Sequence, residues 1–76
     1  MLHAREDYNR IQDPEGKIPE GEPVFLLRAQ DQVAAEVVRF WARLHELQGG
    51  DPGMVLVARE QADRMDAWPW KKRADM

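Results

Sequence analysis

Few side chains in this 76-residue chain are of the kinds that perform covalent or metal chemistry. Serine, threonine and cysteine are absent, and Tyr8 carries the only side-chain hydroxyl group. These absences remove most of the nucleophiles that enzymes use in covalent catalysis. His3 and His45 are the only histidines and do not have the spacing of metal ligands, so we expect no metal and no cofactor. The composition therefore predicts a protein that is not an enzyme and has no catalytic residues.

A candidate anion-binding site lies where a predicted strand leads into a predicted helix. Arg28 precedes Gln30 and Asp31, and the start of a helix presents unpaired backbone N–H groups and the positive end of the helix dipole. Arg10 adds a second cation if its segment lies beside the strand, and Arg39 follows two helical turns further on. In the alternative interpretation, Arg28 pairs with Asp31 or with an acid of the 13–22 loop and serves only the fold. The sequence supports both interpretations equally.

A second candidate site is the end of the chain, where indole rings alternate with a proline and are followed by cations. Its partner-binding residues are Trp68, Trp70, Lys71, Lys72 and Arg73. Tryptophans next to cations can stack on a base and bind phosphate, which is the functional interpretation. In the structural interpretation, which we favour, the tryptophans fold back onto the helices while the cations stay in water.

A strand must position the anion site. Pro23 is followed by four consecutive large apolar residues, which predict a strand over residues 24–29. Because strand side chains alternate, both faces of this strand are apolar and both need cover. A weaker pattern predicts a further strand over residues 8–12 that pairs with it.

Two amphipathic helices are predicted after the strand. The first covers residues 32–48, ends at Gly49 and Gly50, and has a wide apolar stripe made of Val33, Val37, Phe40, Trp41, Leu44 and Leu47. A narrower strip of Val38 and Ala42, flanked by His45, is available for another subunit. Asp51 and Pro52 start a second helix over 52–68, with a buried stripe of Met54, Ala58, Ala62, Met65 and Trp68.

Together these elements predict one small α+β domain, in which a short sheet packs against two helices. An acidic loop rich in proline and glycine occupies residues 13–22, and the tryptophan-rich basic tail occupies 69–76. The loop either binds a basic partner or is a solvated connection, and the second interpretation is the one we favour because charge clusters usually face water.

Length and charge limit the partners. A domain this small buries only about 60% of its unfolded surface, and without disulfides the common way to gain stability is self-association, so we expect a homo-oligomer. The net charge of −3 argues against bulk nucleic-acid binding. No apolar run has the roughly 20 residues of a membrane span, and no signal peptide is recognisable. We therefore expect a cytoplasmic protein that does not enter membranes.

The block from Pro19 to Asp31, Pro-Glu-Gly-Glu-Pro-Val-Phe-Leu-Leu-Arg-Ala-Gln-Asp, resembles small uncharacterised proteins encoded by bacteriophages and their bacterial hosts. The resemblance extends into the following alanines, Val38 and Trp41, and covers about a third of the chain. It implies a phage-type accessory protein in the host cytoplasm. Such proteins often counter host defence by sequestering a nucleotide signal, which is the function we expect, or by blocking a defence protein, which is the alternative.

Overall fold

The computed structural model describes residues 2–3, 13 and 15–74. Within these ranges the chain has two short strands, β1 (Leu2–His3) and β2 (Pro23–Val24), followed by two helices, α1 (Ala34–Leu47) and α2 (Pro52–Ala67). The strands run parallel, with Leu2 opposite Pro23 and His3 opposite Val24. The predicted α+β class is confirmed, and both helices lie within one to two residues of their predicted bounds.

The strand is shorter than the predicted 24–29 and begins one residue earlier. Among the described residues, the ladder pairs Leu2–His3 with Pro23–Val24. The chain must then turn into α1, and the Asp31 N–H donates to the Arg28 carbonyl at 2.9 Å in that turn. The second predicted strand, over residues 8–12, lies outside the described residues.

The helices form an antiparallel hairpin joined by a tight connection. Gly49 has φ 76°, in the left-handed region that favours glycine. At Gly50 a Cβ atom would lie 2.8 Å from the His45 carbonyl oxygen, so a side chain has no room there. Asp51 then caps α2, because its carboxylate accepts hydrogen bonds from the N–H groups of Gly53 and Met54.

Small residues form the contact between the helices. The buried apolar residues among those described are Ala34, Ala35, Ala42, Val55, Ala62 and Met65. Leu27, Ala29 and Val38 pack against part of this cluster and are themselves half-buried. Alanines allow two helices to approach closely, but they bury little apolar area per residue. The hairpin is therefore held by a thin core.

The structure corrects the interpretation that the narrow strip of α1 is available for another subunit. The narrow strip of Val38 and Ala42 lies toward α2, whereas the wide stripe faces outward, with Phe40 at 62% exposure and Trp41 at 43%. The close approach of the two alanine-lined helices decides this outcome, because a large indole or phenyl ring between them would force them apart. In α2, Met65 and Ala62 are buried as predicted, but Trp68 is exposed.

The acidic loop is organised by Asp13. Its carboxylate accepts hydrogen bonds from the N–H groups of Lys17 at 3.2 Å and Ile18 at 2.8 Å, and its carbonyl accepts one from Gly16 at 3.0 Å. Glu15 pairs with the Lys17 ammonium at 2.7 Å. Part of the loop's negative charge thus has a local structural role.

Candidate functional site

The structure brings the two candidate sites of the sequence together. The Lys72 N–H donates to the Gln30 carbonyl at 2.6 Å, and the Gln32 N–H donates to the Lys72 carbonyl at 3.1 Å. These bonds form a parallel bridge between Asp31 and Lys72. The tail therefore lies along the entry to α1, and we call the combined surface, residues 28–32 with 68–73, the junction.

Lys71 fixes the tail to the junction. Its ammonium donates to the Ala29 carbonyl at 2.8 Å and also to the Met65 carbonyl near the end of α2. One cation thus holds three segments: the entry to α1, the last turn of α2 and the tail. Lys71 was predicted to bind a partner, but its ammonium is used within the chain.

The two tail tryptophans form an exposed aromatic pair. The ring centroids of Trp68 and Trp70 are 4.9 Å apart and the planes meet at 67°, an edge-to-face arrangement. Trp68 is 47% exposed and Trp70 is 68% exposed. The favoured interpretation had the tryptophans folded back onto the helices, whereas here they contact each other and keep much of their surface in water.

Asp31 occupies the start of α1 with its own carboxylate. Its Oδ1 accepts from the Val33 N–H at 3.0 Å, and its carbonyl accepts from the Ala34 N–H at 3.2 Å. Ala34 and Ala35 are buried. A negative group thus already sits at the positive end of the helix dipole. The first turn of α1 therefore contributes less to an anion site than its sequence predicts.

The remaining predicted ligand-binding residues are separated. Arg39 faces α2, where its Nη2 lies 2.8 Å from an Asp63 oxygen and 2.6 Å from an Asp66 oxygen. Hydrogen bonds to these two carboxylates raise the pKa of Arg39. Arg28 is exposed at the junction and Gln30 is half-buried there. Arg10 lies outside the described residues.

An apolar groove is a feature that the sequence analysis did not predict. It has a volume of about 520 Å³ and runs along one side of the hairpin, between α1 and α2. Its walls are almost entirely apolar and include Leu27, Val37, Trp41, Met54 and Val57. The wide stripe of α1 continues from this groove onto the outer surface. The stripe was evident in the sequence, but its exposure was not.

On the opposite side of the hairpin, Arg59 binds Glu46 through both guanidinium nitrogens, at 3.1 and 3.2 Å. The hydrogen bonds and the positive charge of Arg59 lower the pKa of the Glu46 carboxyl. The bidentate pair joins the last turn of α1 to the middle of α2. The pair therefore links the two helices.

The described ranges contain neither a metal-binding cluster nor a membrane-spanning helix. No group of three or more histidines, cysteines or carboxylates there could hold a metal ion. Neither helix is both long and apolar enough to cross a membrane.

Comparison of the chain with protein-family models, curated proteins and solved structures gives no match.

Proposed function

We propose that this chain is a non-enzymatic binding protein that captures a small anionic ligand of the nucleotide type at the junction. The observation that carries the proposal is the pairing of Lys72 with Gln30 and Gln32, because it joins the tryptophan pair and the tail cations to the segment that contains Arg28. Sequence alone left these groups about forty residues apart.

The chemistry of the junction suits a nucleotide. A base stacked on an exposed indole such as Trp70 gains about 1–3 kcal/mol. Arg28, Lys72 and Arg73 supply positive charge for phosphate groups, and a guanidinium binds phosphate oxygens in pairs. The absence of serine, threonine and cysteine from the whole sequence supports binding without catalysis.

A thermal-shift screen of linear and cyclic nucleotides tests this proposal. A ligand at one hundred times its dissociation constant stabilises the folded chain by about 2.7 kcal/mol, which corresponds to a rise in Tm on the order of 10 °C for a domain of this size. Trp70→Ala and Arg73→Ala should reduce the rise. Arg64→Ala on the outside of α2 is the matched control and should preserve it. A screen in which no nucleotide raises the Tm contradicts the proposal.

The second candidate is a regulator or inhibitor that binds a host protein through the same tail, with help from the acidic loop. The exposed pair of Trp68 and Trp70 next to Arg73 favours it, since tryptophan and arginine are enriched among residues that dominate protein interfaces. In-cell cross-linking to a defined protein should then depend on Trp70 and ignore added nucleotides. Loss of the cross-link with a nucleotide present supports the first candidate instead.

We further propose that the protein acts in the cytoplasm, as a phage-type accessory protein in its host, and that it self-associates. The resemblance of residues 19–31 supports the phage origin. The thin alanine core and the exposed apolar side chains support self-association. Analytical ultracentrifugation at micromolar concentration measures the assembly directly, and a mass equal to one chain of 8.8 kDa contradicts it.

A further inference from the structure

We propose that the wide stripe of α1 is the surface on which a second copy of this chain docks, with the two α1 helices antiparallel about a two-fold axis level with Phe40. The inference rests on the proposed self-association and adds the surface, the orientation and the register.

The spacing of the exposed stripe is that of a coiled-coil seam. Val33, Val37, Phe40, Leu44 and Leu47 follow one another at intervals of four, three, four and three residues, which is the a/d pattern of a heptad repeat. All five are more than two-fifths exposed. A heptad seam packs against another helix, and α2 lies against a different face of α1, formed by Val38 and the alanines. The seam is therefore complete in sequence, and α2 leaves it exposed within the part of the chain that the structure describes.

The exposed apolar area of the wide stripe supplies most of the area that each partner of a stable dimer buries. Buried aromatic side chains contribute about 150–250 Å² each, so Phe40 at 62% exposure and Trp41 at 43% expose roughly 200 Å² together. The four aliphatic residues of the seam and Val57 bring the exposed apolar area to the order of 600 Å², at the upper end of the largest patches found on monomers. Stable dimers bury about 800 Å² per partner. Polar residues around the stripe supply the remaining area.

The groove provides the depth that the seam lacks. Val37 belongs to both the seam and the groove, and Trp41 of the wide stripe lies beside it in the groove, whose other wall is Met54 and Val57 of α2. Phe40 is the aromatic residue of the seam and is 62% exposed. A two-fold axis level with Phe40 brings each copy's phenyl ring to the other copy's apolar surface, as an isologous contact requires.

The charges beside the seam select the antiparallel orientation. Glu36 and Arg43 lie on the same edge of the seam, seven residues apart and on either side of Phe40. Both are exposed. A two-fold axis level with Phe40 places each Glu36 at the height of the second copy's Arg43, on the same side of the interface. Opposite charges then meet twice. Parallel helices would instead place Glu36 near the second copy's Trp41, with no such complement.

The first experiment is sedimentation of the purified full chain and of two variants. The parent protein should have twice the chain mass of 8.8 kDa. Phe40→Glu should be monomeric, whereas Leu56→Glu, which replaces a similarly exposed apolar residue on the other side of α2, should stay dimeric. Circular dichroism verifies that each variant is folded, and Phe40→Ala should weaken the dimer if the glutamate variant does not fold.

The second experiment tests the orientation. Glu36→Arg and Arg43→Glu should each raise the dimer dissociation constant about tenfold, because symmetry turns one reversal into two like-charge contacts. The double variant Glu36→Arg with Arg43→Glu should restore the parent value. A dimer that is insensitive to Phe40→Glu overturns this surface while leaving self-association intact. Failure of the double variant to restore affinity overturns the antiparallel register, and a monomeric parent protein overturns both the surface and the self-association.

Discussion

Arg39 of α1 lies 2.6 Å from the carboxylate of Asp66 in α2 and reaches Asp63 with the same nitrogen. The cation was a candidate ligand-binding residue, but its guanidinium instead joins the two helices on one side of the hairpin. Its side chain is 41% exposed and those of the two aspartates are more exposed still. Exposed ion pairs contribute little because water screens them and the long side chains lose freedom.

We therefore expect Arg39→Ala to lower the Tm only slightly. The decrease should become smaller in 1 M salt, where the screening length falls to about 3 Å. Arg43→Ala on the outside of α1 is the control at low concentration, where the chain is monomeric. Thermal unfolding of both variants at two salt concentrations measures these changes in Tm. A large decrease in Tm that persists in high salt would show that Arg39 contributes through packing rather than through charge.

Glu46 should make stability depend on pH. Arg59 lowers the pKa of the Glu46 carboxyl below its ordinary value of about 4.5. A carboxyl with a lowered pKa in the folded state stabilises the fold above its unfolded pKa, and that contribution is lost as the pH falls through the folded pKa. Glu46→Gln should thus lower the Tm slightly at pH 7, since the pair is exposed, and leave it nearly unchanged near pH 3. Glu60→Gln is the matched control, and an equal loss at both pH values would contradict the assignment.

The alanine contact between the helices should not tolerate added volume. Ala62 is fully buried in the cluster with Ala34 and Ala35. Ala62→Leu should destabilise the fold by about 1–3 kcal/mol, because the extra methyl groups force the helices apart. Ala67→Leu, at the exposed end of α2, should be nearly neutral. Urea unfolding measures the free energy of unfolding of both variants. Equal values would contradict the close packing around Ala62.

Lys71 should control how firmly the tail is held. Its ammonium binds the Ala29 and Met65 carbonyls, so Lys71→Met should loosen the pairing of the neighbouring Lys72 with Gln30. Hydrogen exchange at the Lys72 and Gln32 amides should then become several-fold faster, since both amides donate in that pairing. Arg73→Met is the control. Unchanged exchange in Lys71→Met would show that the backbone bonds hold the tail alone.

The sequence determined the local structure of this protein. Helical periodicity, the Asp51–Pro52 start and the paired glycines at 49 and 50 placed both helices to within one to two residues, because these features act through neighbours in the chain. The composition alone also removed most nucleophiles. The positions of Arg28 and the tail cations along the chain were known from the sequence, but the sequence did not show that the fold brings their segments together.

Only the tertiary structure decided which face of α1 is covered. Both the wide stripe and the narrow strip are apolar, so periodicity could not choose between them. The face of α1 that packs within the chain carries small buried residues such as Ala42, and it packs with a buried face of α2 that includes Ala62. The pairing of Lys72 with Gln30 is likewise a contact between residues distant in sequence, formed by backbone groups that every residue carries. Backbone pairing of this kind leaves no pattern of side chains to detect.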